Sequence, residues 1–242
     1  MTNGQKNKSK NLRKIYVIAG IHGNEVFGLK VLAKLIAMQN LNITIRVAHL
    51  EAIAKNVRYI ETDLNRSFGI DVKDSLEARL ANQVKAEIDE LNPDLIIDLH
   101  TSSVNVSRVG ILAENNQLLV DITKHMGMEY AAVMPESIAK QSLIGVHPEK
   151  SLCIELGRYL RSDALAKQLA IQINALANGD LSILEQRIPL LFIERIIERS
   201  EAIDLKLENY VFNEQLKGYP FLTGESNYDE HRGFLATSQV EV

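Results

Sequence analysis

The sequence has no tryptophan, and all aromatic residues together make up 5% of it, so it offers no platform on which bases or sugars would stack. It has a single cysteine, Cys153. That excludes an internal disulfide and a thiolate-built structural zinc site, and it fits a reducing compartment. The apolar run near the start, residues 15–19, is far too brief for a membrane span or a secretory segment. Charge of either sign is also not in excess: 27 basic and 31 acidic side chains leave a net charge of −4, with no field that would gather nucleic acid. A cytoplasmic protein is therefore expected, with neither nucleic acid nor membrane as partner and with assembly as a homo-oligomer left open.

What is present is an ordinary globular composition. Hydrophobic residues are 46% and charged residues 24% of 242, enough for one large domain or one with a modest appendage. Lys6, Lys8, Lys10, Arg13 and Lys14 lie in or beside an Asn/Lys-rich start, and residues 1–13 are expected to be a flexible, solvated tail. After it, apolar runs at 14–20, 43–50, 95–99, 109–113 and 152–156 read as strands. Helical periodicity marks the stretch from Asn24 to Ile36 and residues 75–91, 116–126 and 163–177. This alternation predicts an α/β catalytic domain over 14–180, a largely parallel sheet with helices on both faces. Past Asn178-Gly-Asp180 the pattern changes: 189–199 and 205–212 look strand-like without long helices between them. Residues 181–242 are read as a small β-rich domain.

In such sheets, sites gather where strands end at their carboxyl edge. Three strand ends here carry chemistry. The first is followed by Gly20-Ile-His-Gly-Asn-Glu25, another by His100 just after Asp98, and a third holds Glu155. A hydrolytic zinc site takes three imidazole or carboxylate ligands and keeps a position open. His22 and Glu25, three apart in a glycine-flanked turn that enters a helix, can converge on one ion, and His100 arrives on a neighbouring strand. Each has a plainer reading as a hydrogen-bonded strand-end histidine or a helix-terminal acid. Glu155 has the poorest structural excuse, because an acid on an apolar strand is costly unless it is paired or functional. A carboxylate beside a catalytic zinc is what a general base requires. The segment 58–68, with Arg58 and Arg66, could polarise a carbonyl or pair with substrate carboxylates.

Four segments together, Gly20-Ile-His-Gly-Asn-Glu25, Val57-Arg-Tyr-Ile-Glu-Thr-Asp-Leu-Asn-Arg66, Ile96-Ile-Asp-Leu-His-Thr101 and Ile154-Glu-Leu-Gly157, resemble the aspartoacylase and succinylglutamate desuccinylase family of zinc carboxypeptidase-like hydrolases. The resemblance runs from about residue 14 to 235. It implies one Zn2+ per chain on His22, Glu25 and His100, and Glu155 as the acid that activates the attacking water and protonates the leaving amine. It also implies Arg58 as the group polarising the scissile carbonyl, Asn65 and Arg66 as the carboxylate-binding pair, and Tyr228 as a substrate-binding tyrosine in a C-terminal domain that caps the site. The expected reaction is deacylation of a small acidic N-acyl amino acid, of the N-acetyl-aspartate or N-succinyl-glutamate type. A metallocarboxypeptidase or a non-catalytic zinc-binding regulatory protein is the alternative. One departure bears on substrate: Gly145 stands where aspartoacylases carry a further carboxylate-binding arginine, with His147 and Lys150 nearby.

Overall fold

In a computed structural model, residues 12–69, 74–181, 186–226 and 231–242 are described. In chain order the first half comprises β1 (Ile15–Ala19), α1 (Phe27–Met38), β2 (Ile43–Val47), α2 (Leu50–Lys55), α3 (Leu76–Leu91), β3 (Leu95–Thr101), β4 (Arg108–Leu112) and α4 (Gln117–His125). The second half comprises β5 (Tyr130–Val133), α5 (Glu136–Ala139), α6 (Leu143–Val146), β6 (Ser151–Leu156), α7 (Asp163–Ala177), β7 (Pro189–Glu198), β8 (Tyr219–Phe221) and β9 (His231–Glu241). All the strands join one mixed sheet in the order β2-β1-β3-β6-β4-β5-β7-β9-β8. Strands β2, β1, β3 and β6 are parallel, β4 reverses direction against β6, and β5 and β7 follow β4.

Every residue of β1 and β3 is buried, as a strand covered on both faces requires. One face of β1, β3 and β6 carries Ile15, Val17, Leu95, Ile97, Leu152 and Ile154 into a core shared with α1 and α7. The other face of β1 and β3, with Tyr16, Ile18 and Ile96, packs under α3. Helix α3 starts where the Ser75 hydroxyl accepts the Ala78 N–H at 3.0 Å and ends at Asn92, whose φ of 44° stops it just before Pro93. Of the expected tail, residues 1–11 lie outside the described residues, whereas Leu12 is already buried.

One local difference from the sequence reading stands out. Residues 205–212 form turns, not a strand. Tyr210 takes a φ of 69° and stacks on Tyr130 with ring centroids 3.8 Å apart, while the Asn209 side chain accepts the Thr223 N–H. The C-terminal strands extend the central sheet: β7 pairs with β5 and β9 with β7.

Candidate metal and active site

The strand register sets the site. In the pairing of β3 with β6, His100 lies opposite Glu155 and Asp98 opposite Cys153, so these four side chains share one face of the sheet. The same face runs apolar at Ile96, then acidic at Asp98, then to His100 at the carboxyl edge. Strand β1 lies on the other side of β3, and the turn that follows it delivers His22. That turn passes so close to α2 that a Cβ on Gly23 would stand 2.1 Å from the Ala52 carbonyl carbon, so only glycine fits. The Gly23 N–H donates to the Arg58 carbonyl, which ties the histidine turn to the arginine loop.

His22, Glu25 and His100 are all buried, and their ligand atoms lie within 4.8 Å of one another. His22 Nδ1 is 2.6 Å from Glu25 Oε1, and His100 Nδ1 is 3.0 Å from Glu25 Oε2. Each imidazole has its other nitrogen on a second acid: His22 Nε2 donates to Asp63 at 3.1 Å and His100 Nε2 to Asp98 at 2.9 Å. Ionised carboxylates only accept, so with each Nε2–H committed, both Nδ1 lone pairs and Glu25 converge on a point that needs a cation. Outer carboxylates that fix tautomer and ring orientation in this way accompany histidines that bind metals. The donor set suits zinc on chemical grounds: two nitrogens and an oxygen, buried, with room beside them.

With no ion among them, the same groups shift one another strongly. Burial alone would raise Glu25, but His22 and His100 beside it hold its carboxyl well below the usual range. Asp63 is likewise driven low: burial opposes, and the His22 hydrogen bond with the charges of His22, Arg58 and Arg66 prevails. Burial would lower His100, yet Asp98 and Glu25 raise it well above an ordinary histidine. Glu155 goes the other way. Burial pushes it up to about 8, the Glu25 charge adds to this, and His100 and Arg58 only partly offset it. Two carboxylates in one site, pushed apart by their surroundings, are suited to different tasks.

The arginine loop is fixed from below. Buried Glu77 of α3 accepts the N–H groups of Ile60, Glu61 and Thr62 at 2.7, 3.1 and 3.1 Å and bonds His49 Nε2 at 3.0 Å. Asp63 then caps a short turn through the Asn65 N–H at 2.8 Å and takes Arg58 Nε and an Arg58 terminal nitrogen at 3.0 and 2.9 Å. Asn65 Oδ1 accepts the Leu143 N–H at 3.0 Å, which leaves its amide NH2 as a donor for something else.

A cavity of about 90 Å³ brings the pieces together: His22, Glu25, His100, Arg58, Asn65, Arg66 and Glu155 all line it. Of the residues expected from sequence, Tyr228 lies outside the described residues. Other lining residues carried no sequence signal, because an isolated Ile111, Met134 or Phe234 reads as core. Glu225 also reaches the cavity, where its carboxylate accepts the Ser102 hydroxyl at 2.5 Å and the Ser103 N–H at 2.8 Å. Asp63 and Glu77 sat in or beside a segment with an ordinary solvated look, and only the fold reveals what they hold.

The model of the succinylglutamate desuccinylase/aspartoacylase catalytic domain matches residues 11–178. The chain belongs to this family. Among curated relatives it is 28% identical over 134 residues to a "Probable aspartoacylase" of Acaryochloris marina, covering 49% of this chain and 44% of that protein. It is 26% identical over 168 residues to one of Trichodesmium erythraeum, covering 61% of this chain and 57% of that protein. The chain thus spans about half the length of these relatives. Among solved structures, the succinylglutamate desuccinylase of Chromobacterium violaceum superposes with a TM-score of 0.74 at 16% identity, covering 97% of this chain and 86% of that one, a likeness of fold.

Proposed function

We propose that this chain is a zinc-dependent amidohydrolase that removes the acyl group from an N-acyl amino acid. The observation that carries the reading is the place of Glu155: an acid on a buried strand, directly opposite His100 of a three-donor metal cluster. His22, Glu25 and His100 would hold the ion, which when bound supplies Lewis acidity to acidify a water and polarise an amide carbonyl.

The chain's own groups account for the rest. Glu155 takes the proton of the attacking water and returns it to the departing amine, a double duty open to a carboxyl held by the strand register beside the metal cluster. Arg58, aimed by Asp63 and 3.5 Å from Glu25, donates to the carbonyl oxygen as negative charge develops there. Asn65, with its NH2 left to donate, and Arg66 beside it bind the carboxylate of the amino-acid half. The C-terminal segment caps the domain of residues 14–180: it contributes Leu222, Glu225 and Phe234 to the cavity wall and so helps keep water out. A cavity of about 90 Å³ suits a small acyl amino acid better than a peptide.

The test is a panel assay of zinc-loaded protein on N-acyl amino acids and on C-terminal dipeptides. Turnover of acyl amino acids with release of the free amino acid is expected. Turnover of dipeptides alone would make the protein a carboxypeptidase and overturn this reading.

A further inference from the structure

The cavity lining holds two unlike sets of side chains. Besides the histidines of the metal cluster, Arg58 and Arg66 are the cationic residues that line it among the described residues, and Asn65 adds a neutral donor. Ile111, Met134, Ile138, Ala139, Ile144 and Phe234 form an apolar wall. Ile111 and Cys153 are cross-strand partners on the face that carries Glu155, so the wall continues the buried cluster under β4 to β9. The acids on the lining are Glu25, Asp98, Glu155 and Glu225.

We infer that the amino-acid side chain of the substrate is apolar and uncharged, and that this wall is its specificity pocket. The inference rests on the deacylase reading above and adds the class of side chain. If Asn65 and Arg66 bind the α-carboxylate and Arg58 serves the scissile carbonyl, a second carboxylate has no partner left among the described lining residues. The position from which an arginine might have served is closed. A Cβ on Gly145 would stand 2.1 Å from the Ala139 carbonyl oxygen, so this backbone admits no side chain there. The two basic residues near it face elsewhere: His147 Nε2 bonds Asp89 at 3.0 Å and Lys150 bonds Asn92 at 3.2 Å, both at the surface end of α3. A side-chain carboxylate seated against this wall would give up hydration without gaining a cation, in a cavity whose described lining already holds four acids. An aliphatic or thioether side chain exchanges water for Ile, Met and Phe instead.

The decisive experiment compares kcat/KM of the zinc-loaded protein on N-acetyl-leucine and N-acetyl-methionine with that on N-acetyl-aspartate and N-acetyl-glutamate. In parallel, calorimetry on the zinc-loaded Glu155→Gln variant measures the Kd of the same compounds without turnover. A preference of at least about a hundredfold for the apolar substrates is expected, the scale of an uncompensated buried charge. Ile138→Arg, at a half-buried position on the wall, should raise kcat/KM on N-acetyl-aspartate and lower it on N-acetyl-leucine. Equal or better turnover of the acidic compounds would overturn the side-chain assignment and leave the deacylase reading standing. If none of the four turns over, the deacylase reading falls. The side-chain assignment then stands or falls on whether N-acetyl-leucine binds more tightly than N-acetyl-aspartate.

Discussion

In the proposed reading, Asn65 and Arg66 owe their task to their neighbours. The Leu143 N–H fixes Asn65 with its oxygen turned away and its NH2 left to donate, and Arg66 bonds the Asn65 carbonyl at 2.8 Å with one guanidinium nitrogen, leaving others to the cavity. Arg66→Ala is expected to raise KM by roughly tenfold or more with little change in kcat, the value of a hydrogen bond to a charged group lost from ground and transition states alike. Steady-state kinetics on the preferred acyl amino acid checks this, and an unchanged KM would remove Arg66 from carboxylate binding.

At the scale of elements, the loop from α2 to α3 depends on one buried carboxylate. Glu77 accepts three consecutive backbone N–H groups and the His49 ring, so the loop that carries Arg58, Asp63, Asn65 and Arg66 is anchored to α3. Replacing Glu77 by Ala leaves those donors buried and unmet, and a loss of about 3 kcal/mol or more in unfolding free energy is expected from denaturant titration. Burial would raise the Glu77 carboxyl, but His49 and the three N–H groups outweigh it and hold it at about 2, below its ordinary 4.5. With the folded value depressed, this stabilisation is fully present above about pH 4.5 and is lost as pH falls from there toward about 2. Melting temperatures of the wild type should therefore drop over that window more steeply than those of Glu77→Gln.

This is also where sequence stopped being readable. Helices α3 and α7 and strands β1, β3 and β6 announce themselves by period and by capping residues, and His22, Glu25, His100 and Glu155 stand out because polar groups at buried strand ends need a reason. Glu77 gives no such signal: on a helix whose other acids all reach solvent at least in part, a buried acid looks like its neighbours until the loop is folded over it. The turns at 205–212 look like a strand because Tyr210, Val211 and Phe212 favour one locally, and the stacking of Tyr210 on Tyr130 comes from 80 residues away in sequence.

At the scale of the whole molecule, one sheet does two jobs. Its one face, under α1 and α7, is apolar throughout, whereas the opposite face grades from packing residues to Asp98, His100 and Glu155 at the carboxyl edge and to the apolar wall under β4 to β9. In the proposed reading, metal cluster, acid and side-chain pocket share this floor, and the loops deliver His22, Arg58, Asn65 and Arg66 to it. No helix among the described residues is long and apolar enough to cross a membrane. The central claim is that Glu155, set by the strand register beside the metal cluster, moves the proton in amide hydrolysis. The most direct measurement is kcat on an N-acyl amino acid for wild type and Glu155→Gln, each at verified zinc content. The expected result is a fall of about a hundredfold to ten-thousandfold with zinc content unchanged. Activity within about tenfold of wild type, or loss of the zinc itself, would contradict it.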